Sequence, residues 1–250
     1  KTRRVGEENL ARSFPDWPSS RVRSTLKVLY RHMGLALAED CHLPDLDRKW
    51  MEKHVAIEHR ELIDSALAQG RGVISLVSHF GNWELHGAVM ARMGYSVKVV
   101  AFPQSNPRVD ALIRRNREST GMKVVYTGHQ GTHEILEHLR HGGMVGMLAD
   151  QNAGKSGLRL PFFGRDCSVA KAPAVLARKT GAALIPMFLL RDAENRFTSV
   201  TLPEIPVERT ENSEKDVWEA TRKWLKVQEE FIREHPEHYF GCTGGGSISR

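Results

Sequence analysis

No stretch of this 250-residue sequence stays apolar over the roughly 20 residues that a membrane-spanning helix needs. Cysteine is scarce: Cys41, Cys167 and Cys242 stand far apart, which excludes a disulfide framework and a thiolate metal site. A reducing compartment is therefore the default expectation. The first residues are polar and charged, unlike a signal peptide. Low-complexity tracts and internal repeats are absent. Several catalytic signatures are missing as well. There is no Gly-x-Ser-x-Gly elbow, no Gly-x-x-x-x-Gly-Lys phosphate loop, no dinucleotide fingerprint and no His-Glu-x-x-His zinc motif. Zinc fingers and basic zippers are also lacking, so nucleic acid is not an expected partner.

What is present describes an ordinary soluble fold. Hydrophobic residues make up 40% and charged residues 26%, enough for a buried core in one domain or a small pair. The net charge of +6 fits an anionic membrane surface, an acidic carrier or a phosphorylated substrate. It equally fits a protein kept soluble by surplus Lys and Arg. The basic residues cluster over residues 1–31 and again at Arg114, Arg115 and Arg117.

Periodicity sets the architecture. Val22, Leu26, Leu29, Met33 and Leu37 recur at helical spacing over residues 21–38, with Arg and Lys opposite. A packed helix with a basic outer face is the simpler reading, and a membrane-surface helix is the alternative. A second helix is expected over 50–69, stopped by Gly70 and Gly72. From there, short apolar runs at 73–78, 97–102, 123–126, 144–149 and 183–190 read as buried strands. They alternate with helices at 83–93, 106–119, 131–140 and 171–180. Residues 196–202 read as an antiparallel strand after a turn, and 213–234 as a long C-terminal helix. The expectation is an α/β fold: one domain with a largely parallel, mixed sheet covered by helices on both faces and preceded by N-terminal helices. Residues 1–70 form the N-terminal helical segment packed on the core. Residues 71–240 form the α/β core with its C-terminal helix, and 241–250 a flexible Gly-rich tail.

Active sites in such sheets lie beyond the C-terminal strand ends. That rule selects residues 78–84, 103–117 and 150–164. In the first, His79 leaves a buried strand, where a histidine suits general-base work near neutral pH. Glu84 is the local carboxylate able to fix its tautomer, with Gly81 allowing the tight path. The same two residues equally fit a strand-end histidine and a capping-region glutamate. A base without a protein nucleophile points to activation of an acceptor hydroxyl. Asp150 fits either pocket shaping or anchoring of the loop that follows it.

The stretch His79-Phe80-Gly81-Asn82-Trp83-Glu84 resembles the HX4E motif of the lysophospholipid acyltransferase superfamily. In its full form it looks like the bacterial lipid A biosynthesis acyltransferases, the lauroyl and myristoyl transferases. The similarity continues through Asn106-Pro107 with Asp110 and Leu112 to Arg115, and through residues 141–151 ending in Asp150-Gln151. It extends over Leu160 to Gly164, residues 177–188 and His235-Pro236-Glu237. The ordered set covers nearly the whole chain. The resemblance implies transfer of a fatty acyl chain from acyl carrier protein, or from acyl-CoA, to a phosphorylated glycolipid acceptor such as a lipid A precursor. It implies no cofactor or metal, and work at an anionic membrane surface on the cytoplasmic face of the inner membrane. An N-terminal anchor upstream of Lys1 belongs to the same expectation.

By the same resemblance His79 is the base and Glu84 its partner, with Asn82 and Asn106 beside the substrate. Arg114, Arg115 and Arg117 are expected to meet phosphate or developing negative charge, as are Arg159 and Arg165. Asp150 and Gln151 would contact the acceptor. Phe162 and Phe163 either pack locally or line an acyl chain. One departure is clear: the Trp-x-His-Arg-Arg-Trp-like segment expected after Pro236-Glu237 is replaced by His238-Tyr239-Phe240 and a glycine run. Two other functions remain open on the sequence. One is an acyl-CoA-dependent glycerolipid or glycolipid acyltransferase, and the other an inactive lipid- or carrier-binding protein.

Overall fold

The computed structural model describes residues 2–243. The tail expected over 241–250 lies outside the described residues from 244 onward. Two N-terminal helices, α1 (Thr2–Ser13) and α2 (Ser19–Asp40), form a hairpin. Leu10, Phe14, Val22, Leu26 and Leu29 bury their side chains between them and close over Phe240 from the far end of the chain. Each such burial contributes about 1.5–3 kcal/mol, which holds the helical hairpin and Phe240 together.

A short helix α3 (Arg48–His54) follows, capped by Asp47, which accepts from Trp50 N–H at 2.7 Å. Here the expectation of one helix over 50–69 is corrected. The chain forms strand β1 (Val55–Glu58) and only then helix α4 (Arg60–Ala68), turning through His59 at φ 57°. Four residues carry too little alternation to announce a strand; β1 forms because it pairs in parallel with β9 (Phe197–Thr201).

The rest runs as β2 (Val73–Val77), α5 (Trp83–Arg92), β3 (Val97–Ala101), α6 (Pro107–Ser119), β4 (Lys123–Tyr126), α7 (His129–Arg140) and β5 (Met144–Leu148). A hairpin comes next, β6 (Leu158–Phe162) and β7 (Arg165–Val169), which periodicity did not reveal. Phe163 and Gly164 form its turn, both at positive φ (48° and 70°), the twist that two-residue hairpins require. Then come α8 (Ala172–Thr180), β8 (Ala183–Arg191), β9 and α9 (Ser213–Glu234).

The sheet has seven strands in the order β1-β9-β8-β2-β5-β3-β4. Strands β8, β2, β5, β3 and β4 run parallel, and β9 is antiparallel to β8. One core cluster packs α7, α8 and α9 on one face, around Ile135, Ala177 and Trp224. The other packs α4 and α5 on the opposite face, around Ile63, Leu85 and Val89. This is the mixed α/β sheet expected, with the helical hairpin ahead of it.

Candidate active site

Strands β2 and β5 are neighbours in parallel register, with Val77 opposite Leu148. The residues that leave their C-terminal ends therefore emerge side by side. His79 is one and Asp150 the other. The backbone N–H of His79 donates to Asp150 Oδ2 at 2.8 Å, and ring Nδ1 lies 2.8 Å from Oδ1. Asp150 is almost fully buried, whereas His79 keeps 21% of its side chain accessible. A carboxylate accepts at both contacts, which puts the ring proton on Nδ1 and leaves Nε2 as an acceptor. The amide of Gln151 reaches that nitrogen at 3.3 Å. Burial pulls the His79 pKa down, but the hydrogen bond and charge of Asp150, with the weaker charge of Glu84, outweigh it and leave it raised.

The loop carrying His79 is fixed by backbone chemistry. Gly81 sits at φ 59°, and a Cβ there would collide with the carbonyl oxygen of Leu189, so only glycine fits. The segment after α9 straps the loop from outside. Phe240 N–H donates to His79 O at 2.7 Å, and Gly81 N–H donates to His238 O at 2.9 Å. His238 stacks on Phe80 and accepts from Arg191 N–H at 3.1 Å. Asn82 then caps α5, accepting from Leu85 N–H at 2.9 Å, while its amide donates to Glu39 at 3.0 Å. Glu39 also accepts from Arg191 at 2.6 Å, so the end of α2 is tied to the start of α5.

Glu84 does not meet the imidazole, and the expectation that it orients His79 is corrected. It lies in the first turn of α5, and its carboxylate accepts from Arg117 Nε at 2.7 Å and Nη2 at 2.5 Å. Trp83 Nε1–H adds a third bond at 3.2 Å. The ring of Trp83 faces His79 edge-on at 4.8 Å. The partner carboxylate comes from Asp150, 71 positions away, because strand register brings it there. Asp40, at the end of α2, completes the acidic group. Burial first, then the charge of Glu84, push its carboxyl up to about 7.

Beside this group an apolar slot runs between α5 and the sheet, from Trp83, Glu84 and Arg117 at one end to Met90, Met122 and Met144. Gly146 of β5 and Val99 of β3 line its sheet wall. The one histidine on it, His86, is held by Ser199 at 2.9 Å, and burial pulls its pKa down to about 4.

The other expected residues divide. His79, Asp150 and Gln151 come together, and Asn82, Glu84 and Arg117 stand next to them. Asn106 caps α6 by accepting from Arg108 N–H at 3.0 Å. Arg114 pairs with Glu118 on the same helix, and Arg115 points to solvent. Arg159 pairs with Asp166 across the hairpin, and Arg165 is exposed at its turn. Phe162 is buried in the core against Phe163. Phe163 packs on Phe14 and under Arg233. Neither aromatic lines the slot, which corrects the acyl-lining option for that cavity. Trp83, Glu39, Asp40 and Arg191 went unnoticed in the sequence. Trp83 lay inside the quoted motif, whereas the other three carry no local signal, since their partners are distant in the chain.

A parallel sheet that delivers a paired histidine beside a narrow apolar slot is an arrangement compatible with the α/β transferases of acyl groups. The chain belongs to the bacterial lipid A biosynthesis acyltransferase family, whose profile matches residues 1–241. It is 24% identical over 240 residues to a lipid A biosynthesis acyltransferase of Haemophilus influenzae, covering 96% of this chain and 74% of that protein. The lipid A biosynthesis palmitoleoyltransferase of Escherichia coli is 26% identical over 242 residues, with 94% and 75% covered. A phosphatidylinositol mannoside acyltransferase of Mycobacterium tuberculosis is 28% identical over 187 residues, covering 72% of this chain and 58% of that protein.

Proposed function

We propose that this chain transfers a fatty acyl group from an acyl thioester to a hydroxyl of a phosphorylated glycolipid, a lipid A precursor in the first instance. The observation that carries the reading is the His79–Asp150 pair, held at 2.8 Å with Nε2 left unprotonated and able to exchange the Gln151 amide for a substrate hydroxyl. In the step, the acceptor oxygen attacks the thioester carbonyl as its proton passes to Nε2. The tetrahedral centre then collapses, the C–S bond breaks, and the thiol leaves with that proton. Thiolate is a good leaving group, so no covalent protein intermediate is required. Asp150 stabilises the imidazolium that forms, as the carboxylate of a catalytic triad does. The acyl chain lies in the apolar slot, and Glu84 with Arg117 closes its polar end.

The lipid A acceptor is favoured by the extent of the likeness: the lipid A relatives align over 94–96% of this chain. A different glycolipid acceptor is the second reading. It rests on the phosphatidylinositol mannoside enzymes, whose identity is higher (28–29%) over a shorter stretch. The donor, carrier protein or CoA, is proposed only as an acyl thioester. The test incubates the protein in detergent with both donors, several chain lengths and both acceptor classes, and follows products by mass spectrometry. One acyl mass added to the lipid A precursor, lost in His79→Ala, supports the first reading. Gain on the mannoside acceptor alone supports the second, and gain on neither refutes both.

A further inference from the structure

Helix α6 is built inside out. A surface helix of a soluble protein buries its apolar stripe and shows its polar face to water. None of the residues of α6 is buried. Its inner side is held by polar links instead. Asp110 accepts from Tyr126 at 2.5 Å and from Gln104 N–H at 2.8 Å. Asn116 donates to the Asp40 carbonyl at 3.2 Å, and Arg117 grips Glu84. Ile113 is partly covered on that inner side, whereas two other apolar side chains face outward: Val109 is 43% and Leu112 48% accessible. Phe102, just past β3, is 71% accessible. Arg108 and Arg115 share this outer side, and among the described residues neither has an ion-pair partner.

The position of this surface matters as much as its composition. Val97, Val99 and Val100 of β3 line the apolar slot, and the same strand runs out to Phe102. Arg117, on the inner side of α6, lines the slot's polar end. The exposed face thus belongs to the same helix and strand end that supply lining residues to the slot. We propose that Phe102 and the outer face of α6 form a membrane-seating lip: Phe102, Val109 and Leu112 enter the acyl region of a bilayer while Arg108 and Arg115 meet anionic headgroups. Exposed aromatic and aliphatic side chains interleaved with unpaired arginines are the pattern of a helix lying in a membrane interface. An acidic carrier protein would be drawn to the arginines but gives a 71%-exposed phenylalanine no oil to enter, so the bilayer is the favoured occupant. The purpose of the lip, passing a lipid from bilayer to slot, rests on the proposed acyltransferase reading, whereas the binding itself does not.

The test is co-sedimentation of the protein with vesicles of about one-third phosphatidylglycerol in phosphatidylcholine. Phe102→Glu and Leu112→Glu should each weaken binding about tenfold or more. Arg108→Glu should weaken it several-fold on anionic vesicles and leave neutral vesicles unaffected. Because these side chains are exposed, transfer from acyl thioesters in detergent should persist. A direct readout avoids any question of folding: the tryptophan added in Phe102→Trp should be quenched by brominated lipids, over and above the parent's quenching. A parent that does not sediment, variants that bind like the parent, or an added tryptophan whose emission bromine leaves unchanged would each overturn the lip. So would loss of carrier-protein binding with vesicle binding intact. Absence of transfer in the parent, with vesicle binding weakened in the variants, would sink the acyltransferase reading and leave the lip standing.

Discussion

His79 and Asp150 meet because two adjacent strands end together, so the pair is positioned from both ends of its contact. The backbone N–H of His79 grips one carboxylate oxygen and the ring grips the other. Exchange of Asp150 for Asn should keep the loop but remove the charge that favours imidazolium. We expect kcat to fall by about 10²–10⁴. Activity needs the neutral base, so it rises with pH through the His79 pKa. Asp150 raises that pKa, so its loss should move the acid limb of the pH profile to lower pH. Glu84→Gln should move the limb less, since Glu84 acts on the ring through charge alone. A profile in which Glu84→Gln shifts the limb further than Asp150→Asn would show that Asp150 is not the partner. The histidine was legible in the sequence, as a polar residue ending an apolar run. Its partner was not, because Glu84 was the nearest carboxylate along the chain and register is a long-range property.

At the scale of elements, the parallel core was readable because its strands are continuous apolar runs punctuated by glycine. The elements that escaped are short and rely on distant pairing. Strand β1 has four residues and forms on β9, and the β6–β7 hairpin turns through a phenylalanine in a conformation usually left to Gly or Asn. Glycine placement yields two predictions here. Gly81→Ala meets both a positive φ and the Leu189 carbonyl, so it should cost at least about 2 kcal/mol and lower Tm by about 5 °C or more. Thermal unfolding followed by circular dichroism tests this, and an unchanged Tm would contradict the close contact. Gly146 is a different case. A Cβ there meets Val99 at an ordinary 3.5 Å, so a single methyl is accommodated on the sheet wall of the slot. Gly146→Ala should leave the fold intact and shift preference toward slightly shorter acyl donors, read from rates across a chain-length series. Unaltered preference would move the acyl chain out of this slot.

For the whole molecule, burial of titratable groups sets how stability follows pH. His32 and His86 are both pulled down to about 4, His86 by burial alone and His32 by burial with the charges of His238 and Arg191. A folded histidine that resists protonation leaves the unfolded chain binding more protons between about pH 4 and 6.5, so stability falls as pH drops through that window. Asp40 opposes this. Its raised pKa means the folded state holds a proton that the unfolded state has lost, so its contribution falls as pH rises from about 4 to 7. The raised pKa of His79 adds a term in the same direction, present below about 6.5 and lost as pH rises through its folded value. The two buried histidines thus limit stability in acid, whereas Asp40 and His79 weaken it toward neutral pH. The sharper test isolates His86. Replacing it with Asn removes the Ser199 bond and some packing, so the variant should be less stable at neutral pH by about 1–3 kcal/mol. It also removes a group whose protonation drives acid unfolding, so the gap to the parent should narrow steadily as pH falls toward about 4.5. Denaturant titrations at both pH values measure the gap. A gap that stays constant would mean that His86 titrates alike in folded and unfolded chains, and that its contact with Ser199 is open to water.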